Sequence, residues 1–387
     1  MKKKLFICIT TPASIQTWFK NQPKFLSQFY DVEIFTSFSN NLQELEKNEN
    51  VKINVIDFTR NINPLKDLII FIKLTIIFIK KKPNIVYSLT PKSGLIAMLS
   101  AFTARVKNRF HVVVGLPLIE AKGVKKLILN ITERLTYICS NHLYCNSINL
   151  ANYLSKTLTN KKVNIIWNGS VNGIDLNFYK NTLDFTKKKE LCNKLALNDK
   201  NFIFIYIGRL VKDKGIQELI VSFEKLNTLY KNIKLILLGD YEQNLDPIEE
   251  KYLDTISLNN NIIKVAFQND IRDYLSIANT LVLPSYREGL PNILLEAGAF
   301  GLPMIATNIN GCNEVIINNE NGLLVEPKNA DSLYIAMYNM FNDKVLYQKL
   351  KNNSRNSIED RYEQYKFWEF LHKELEIIKE SNDEKNF

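Results

Sequence analysis

Ser285-Tyr286-Arg287-Glu288-Gly289-Leu290-Pro291-Asn292-Ile293-Leu294-Leu295-Glu296-Ala297 is the stretch on which the reading of the chain turns. The apolar run Leu281-Val282-Leu283-Pro284 leads into it and has the length and composition of a buried strand. A short polar loop carrying Arg287 and Glu288 follows, and then Gly289, where backbone can approach a ligand closely. Pro291 stands where a first helical residue belongs, because its missing N–H costs nothing there. The helix predicted over Asn292 to Phe300 starts with unpaired amides and the positive end of its dipole, a setting that suits a phosphate. Glu288 lies before that start and Glu296 eight residues on, inside the helix. One carboxylate is thus placed to face a sugar beside the phosphate and the other a ribose one layer deeper. The plainer alternative is a solvated Glu288 and an ordinary Glu296 in the helix.

Strand, loop and helix in that order make a unit of an α/β protein, and the same alternation runs along the whole chain. The predicted strands are Lys4–Ile9, Val32–Phe35, Lys52–Ile56, Asn84–Leu89, His111–Val114, Leu143–Cys145 and Val163–Ile166 in the first half. In the second half they are Phe202–Ile207, Lys234–Leu238, Ile262–Phe267, Thr280–Leu283, Met304–Ala306 and Gly322–Val325. The polar, Lys-rich residues 181–200 read as a linker between a first domain over 1–180 and a second over 201–355. The tail 356–387 carries Tyr362, Tyr365, Phe367, Trp368 and Leu371 at roughly helical spacing.

With 387 residues, 46% apolar and 23% charged, the chain has the material for two cores. Its charge is unevenly spread. Residues 1–180 hold 25 Lys and Arg against 10 Asp and Glu, whereas residues 181–387 hold 25 against 30. A basic first half implies an anionic partner: nucleic acid, a membrane surface or a diphosphate-bearing lipid. Cys8, Cys139, Cys145, Cys192 and Cys312 are scattered, with no C-x-x-C pair, and read as reduced cysteines of a cytoplasmic protein. Lys2-Lys3-Lys4 precedes an apolar run too short for a signal peptide, so this start reads as a strand. Three stretches combine apolar and basic residues: Leu65–Ile79 with the lysines after it, Gly94–Phe110, and Lys122–Ile131. Each is read either as a helix packed on the sheet or as one that also dips into the membrane interface.

Ligands of open α/β sheets bind beyond the carboxyl ends of the strands. In the second half the polar loops stand there one after another: Gly208-Arg209 with Lys214-Gly215, Gly239-Asp240, the Glu288 loop, and Asn308 to Glu314. Arg209 and Lys214, five residues apart around a turn, can hold two phosphates and steady charge that grows on them. Lys212 between them reads as a solvated surface lysine. Neither G-x-x-x-x-G-K-[ST] nor G-x-G-x-x-G occurs, which argues against NTPases and dinucleotide enzymes. No Asp-x-Asp pair is present, so protein cations are expected to carry the diphosphate. Aromatic-interleaved basic patches are also missing, which leaves the nucleic-acid reading weak.

Together, Gly208-Arg209, Lys214-Gly215, Glu288, Gly289, Pro291 and Glu296 resemble the signature of family 4 glycosyltransferases of the GT-B type. The resemblance implies two Rossmann-like domains with a cleft between them, and a tail helix crossing back over the first domain. It implies a retaining, metal-independent transferase without cofactor, in which Arg209 and Lys214 stabilise the departing diphosphate and Glu288 with His111 orients the donor sugar. Glu296 would hold the ribose, and Gly208, Gly289, Leu290, Pro291 and Asn292 would complete the donor site. The segment Trp167 to Asp175, Thr90-Pro91-Lys92-Ser93-Gly94 and the Gly-Leu-Pro after His111 look most like bacterial enzymes that extend undecaprenyl-diphosphate sugars. In that reading Lys92 and Arg109 help bind the acceptor's diphosphate, the donor is UDP-linked, and the enzyme works at the inner face of the cell membrane in O-antigen or capsule assembly. A transferase acting on a lipopolysaccharide core or soluble glycan, or a nucleotide-sugar epimerase of the same shape, remain as rivals. The chain departs from the family's pattern in lacking a glycine in the first loop, Thr10–Ser14.

Overall fold

The computed structural model describes residues 2–59, 63–119, 121–180, 184–242 and 246–383, with side chains as far as Glu376. The chain forms two compact units, one over Met1–Gly173 with Gln364–Phe387 and the other over Ile174–Glu363. The first contains the strands β1 (Lys3–Cys8), β2 (Tyr30–Thr36), β3 (Lys52–Val55), β4 (Ile85–Ser88), β5 (Asn108–Val113), β6 (His142–Cys145) and β7 (Val163–Ile165). They form a parallel sheet in the order β3-β2-β1-β4-β5-β6-β7. Its helices are α1 (Ala13–Trp18), α2 (Gln22–Leu26), α3 (Leu42–Glu49), α4 (Pro64–Lys81), α5 (Pro91–Thr103), α6 (Gly123–Cys139) and α7 (Ile148–Thr157).

Burial on both faces explains why β1 is apolar at every position from Leu5 on: a strand inside a doubly covered parallel sheet has no wet side. Leu5, Ile7 and Ile9 pack into one core with α2, while Phe6 and Cys8 pack into the other with α4 and α5. Helix α4 starts cleanly because Asn63 caps the Lys66 amide and Pro64 follows it.

The second unit holds β8 (Phe202–Ile207), β9 (Ile233–Leu238), β10 (Ile262–Val265), β11 (Thr280–Leu283), β12 (Met304–Thr307) and β13 (Gly322–Val325), parallel and in the order β10-β9-β8-β11-β12-β13. Around it run α8 (Phe185–Lys194), α9 (Ile216–Leu229), α10 (Glu250–Leu258), α11 (Arg272–Ile277), α12 (Asn292–Ala299), α13 (Cys312–Val315), α14 (Ala330–Asn342) and α15 (Lys344–Tyr362). In each sheet the chain starts at a central strand, works outward to one side, and returns to build the other. The reversal falls between β1 and β4 in the first unit and between β8 and β11 in the second.

The last helix, α16 (Gln364–Asp383), belongs to the first unit. Phe367, Leu371 and Leu375, four residues apart, are buried in that unit's core, and the Trp368 indole N–H donates to Asn172 Oδ1 at 2.8 Å.

All thirteen strands were expected, with ends shifted by a few residues. The expected segment borders need correction. Residues 185–194 form α8 within the second unit, so the stretch from 184 to 200 is not a free linker; 181–183 lie outside the described residues. The tail begins at Gln364, and 356–362 are the end of α15. Gly94–Phe110 is not one helix: α5 stops at Thr103, Arg105 takes φ 54°, and β5 starts at Asn108.

Candidate functional site

The reversal between β8 and β11 places the loops after these two strands side by side at the carboxyl edge, the position where open α/β sheets bind ligands. After β8 the chain passes Gly208 and Arg209 and makes a single tight turn, Lys212–Lys214, before α9. After β11 it passes Ser285 to Leu290 and enters α12, with Pro291 as the capping residue and Asn292 the first helical one. That is one position later than the sequence suggested for Pro291. Two glycines make the closeness of these loops possible. A Cβ on Gly215 would sit 2.0 Å from the Pro284 carbonyl oxygen, and one on Gly311 1.5 Å from that of Gly289. Both have positive φ, which glycine adopts without strain.

Across the reversal point the Lys214 ammonium donates to Glu288 Oε1 at 2.6 Å, and the same oxygen accepts the Ser285 hydroxyl at 2.7 Å. Ser285 is in turn fixed through its carbonyl by the Thr307 hydroxyl at 2.5 Å. Both charged side chains are largely buried, so the pair is a held geometry rather than a loose surface contact. The turn and the loop are also tied along their backbones. The Tyr286 amide donates to the Asp213 carbonyl at 2.8 Å, the Arg287 guanidinium to the Asp213 carboxylate at 2.9 Å, and the Tyr286 hydroxyl to Glu218 at 2.6 Å. Asp246 accepts the Asp213 amide at 2.6 Å and steadies the turn from a third side.

Arg209, the other expected cation, is about half exposed and pairs with Glu242 at 2.8 Å. That hydrogen bond, followed by the Coulombic pull of Glu242 and Asp213, raises its pKa. Lys212 is exposed, as expected of a solvated neighbour. Glu296 lies one turn inside α12 beside Tyr179. Burial pushes its carboxyl up to about 7, against the opposing hydrogen bond from Tyr179. The second unit therefore brings Gly208, Arg209, Lys214, Glu288, Gly289, Leu290, Pro291, Asn292 and Glu296 to one edge. Glu242, Ser285, Thr307, Asp213, Asp246, Glu218 and Tyr179 complete it. Sequence reasoning missed those seven because each acts through a partner tens of residues away or, as with Ser285, through its neighbour's carboxylate.

In the first unit the corresponding reversal holds hydroxyls. Thr10 and Thr90 share a hydrogen bond of 2.5 Å, and Ser93 bonds to Thr90 at 2.7 Å. Lys92 stands beside them in the first turn of α5, with its ammonium on Asp67 at 2.5 Å. Arg109 is elsewhere. It sits at the amino end of β5, in register with Val86, and its guanidinium binds the carbonyls of Cys139 and Val106, both at 2.5 Å. A strand's length separates it from Lys92, so the two do not share a ligand's diphosphate as expected. Burial lowers its pKa, another sign of a residue that holds three chain segments together.

His111 also departs from expectation. It is 1% exposed, accepts or donates at Nδ1 to the Ser88 hydroxyl at 2.8 Å, and lies so close to α5 that a Cβ on Gly94 would fall 2.5 Å from its ring. Burial pushes it down to about 4, which keeps the imidazole neutral. Its environment is that of a core histidine rather than a sugar contact. Ser147 caps α7 by accepting the Leu150 amide at 3.1 Å. A cavity of about 770 Å³ opens at the amino edge of this sheet, between Lys2, Lys3, Lys82, Arg105 and Lys107, away from the carboxyl-edge loops.

Known proteins share this arrangement of parallel sheets with loops gathered at their reversal points, and they define its class. The family model described as glycosyl transferases group 1 matches residues 187–357. Over 372 residues the chain is 33% identical to the capsular polysaccharide biosynthesis glycosyltransferase CapM of Staphylococcus aureus, spanning 95% of this chain and 96% of that one. It is 29% identical over 304 residues to an Escherichia coli UDP-Gal:α-D-GlcNAc-diphosphoundecaprenol α-1,3-galactosyltransferase, 77% of this chain and 76% of the relative. Among solved structures, Anabaena HepE in complex with UDP and glucose superposes with a TM-score of 0.79 at 17% identity, over 97% of this chain and 99% of that one. The fold is GT-B, and the protein is a glycosyltransferase. The chain belongs to the glycosyl transferases group 1 family.

Proposed function

We propose that this enzyme is a retaining hexosyltransferase that moves a hexose or N-acetylhexosamine from a UDP-linked donor to a saccharide on a polyprenyl diphosphate, in the assembly of a bacterial surface polysaccharide. The observation that carries the reading is the Lys214–Glu288 pair above the start of α12. On donor arrival the ammonium exchanges the carboxylate for the diphosphate, and the released Glu288 turns to the hydroxyls of the sugar. Arg209 leaves Glu242 in the same way, and the first amides of α12 add their dipole. The bond from the anomeric carbon to the diphosphate oxygen breaks while the acceptor oxygen bonds to that carbon. The departing phosphate takes the acceptor's proton. Charge growing on that phosphate is met by Lys214 and Arg209, so the reaction proceeds without a resident metal or cofactor. Glu296 accepts from the ribose hydroxyls as a carboxylate.

The lipid-linked acceptor is supported by the names of two relatives, which include capsule biosynthesis and a diphosphoundecaprenol sugar. It also agrees with the excess of lysine and arginine in residues 1–180. Thr10, Thr90, Ser93 and Lys92 are the residues assigned to it. The test is transfer from a panel of UDP- and GDP-sugars, with and without a polyprenyl-diphosphate saccharide, in EDTA. Turnover of one UDP-sugar that requires the lipid acceptor is the expected result. Donor hydrolysis unaffected by any lipid acceptor would discard the acceptor, and a rate abolished by EDTA would discard metal independence.

A further inference from the structure

Two helices on one side of the first sheet carry outward apolar rows of the same design. On α4 the exposed residues are Leu65, Leu68, Ile69, Ile72, Ile76 and Ile79; on α6 they are Val124, Leu127, Ile128, Ile131, Leu135 and Ile138. Both sets follow the spacing i, i+3, i+4, i+7, i+11, i+14, which is one face of a helix. Each of the twelve side chains is 37 to 77% exposed. Helix α5 packs against both helices and lies between them, with most of its side chains buried. Phe102 at its end and Ile119, just before α6, are exposed as well. Scattered surface aliphatics are ordinary, but two full stripes on the helices that flank α5 form an apolar surface that calls for a partner.

The charges around the stripes select that partner. Lys66, Lys73 and Lys80 form a row seven residues apart on α4, one position after Leu65, Ile72 and Ile79, and all three are exposed. Lys122, Lys125, Lys126 and Arg134 border the α6 stripe, also exposed. The acids of these helices are turned away. Asp67 on α4 is paired with Lys92, and Glu133 on α6 is buried, where burial pushes it up to about 6. At the far end Ile79 adjoins the basic cavity of Lys2, Lys3, Lys82, Arg105 and Lys107. Among the described residues no helix is long and apolar enough to cross a membrane, so the stripes are suited to lying in an interface rather than spanning one.

We propose that the paired stripes of α4 and α6 form a single docking face that sinks into the headgroup–acyl boundary of an anionic bilayer, with the flanking lysines on lipid phosphates. Lysine stems reach along apolar surface while their ammonium groups stay at the phosphate level. Both helices begin at the carboxyl edge of the sheet, so a face lying flat on the bilayer brings Thr90 and Lys92 beside the lipid surface. The sequence pointed to three basic-apolar stretches; the fold retains two and buries the helical part of the third. This docking face stands independently of the donor and acceptor chemistry, because its test uses no sugar.

The experiment is flotation of the full chain with vesicles of phosphatidylcholine alone or of equal phosphatidylcholine and phosphatidylglycerol, at low and high salt. Binding to the anionic vesicles that weakens with salt is expected. The double variant Ile72→Glu with Ile131→Glu should lose about tenfold or more of that binding. Lys73→Glu with Lys125→Glu should lose the preference for anionic lipid. Ile335→Glu, at an equally exposed aliphatic site on α14, should change nothing. Melting temperatures read alongside show that each variant is folded; the lysine pair, fully at the surface, tests the proposal even if the isoleucine pair unfolds. A wild type that stays out of anionic vesicles overturns it, as does binding that survives both double variants. Vesicle indifference joined to a dimer that the isoleucine pair dissociates would give the face to a second copy of the chain and equally overturn the bilayer.

Discussion

At the reversal point of the second sheet a lysine and a glutamate meet above a helix start; at that of the first sheet two threonines and a serine meet above another. The topology is the same, yet the chemistry differs. A charged pair with backbone packed to glycine contact is the setting we propose for the diphosphate. A cluster of hydroxyls can donate or accept, which suits the hydroxyl groups of a saccharide. The comparison teaches that the fold supplies two equivalent positions and the loop residues decide what each one holds.

The largest expected effect breaks the charged side. Lys214→Ala should lower turnover on the order of 100-fold or more in the transfer assay, as loss of a group that stabilises the departing charge; a near-normal rate would remove Lys214 from the reaction. The packing side of the comparison is tested next. Gly311→Ala, whose methyl would overlap the Gly289 carbonyl, should destabilise the fold by about 2 kcal/mol or more in urea unfolding. Gly115→Ala in the first unit, with nothing within 4 Å of its Cβ, should stay within about 0.5 kcal/mol. Equal effects would mean the close loop packing is not a property of the second site alone. On the hydroxyl side, Thr90→Val should raise the acceptor KM by about tenfold and leave UDP binding unchanged, as loss of hydrogen bonds in one site only. A change in UDP affinity instead would show that the two sites are not separable in this way.

The smallest effect sharpens the nucleotide side. Folding raises the Glu296 carboxyl to about 7, so the native state holds a proton that the unfolded chain has released. Its contribution to stability therefore declines as pH rises from the ordinary carboxylate range through about 7. UDP binding, which in the proposed reading uses the carboxylate, should strengthen about fivefold between pH 6 and pH 7 by calorimetry, and Glu296→Gln should flatten that rise. An unchanged slope in the variant would take Glu296 away from the ribose.

Much of this was legible because the determinants are local. The central strands of both sheets were readable as apolar runs, since a strand buried on both faces can contain little else. Glu288, Gly289 and Pro291 were readable because a loop, a close approach and a helix start follow one another within a few residues. What remained hidden depends on distance. Arg109 looked like a neighbour of Lys92 until the register set it against Val86, at the opposite edge of the sheet. His111 sits toward the carboxyl end of a strand, but only the packing of Ser88 and Gly94 around it shows that its ring points into the core. The linker was inferred from polarity, and α8 is a helix with no buried residue, which leaves no apolar rhythm to read.

The three buried residues of α16 have a bearing on how the protein is made. A chain emerging from the ribosome delivers the seven strands of the first sheet early, while Phe367, Leu371 and Leu375 follow only after the whole second unit. The later-synthesised unit is thus the first to have all its parts, reversing the usual order in which domains mature during translation. Until α16 follows, one face of the earlier unit waits with its hydrophobic seat empty.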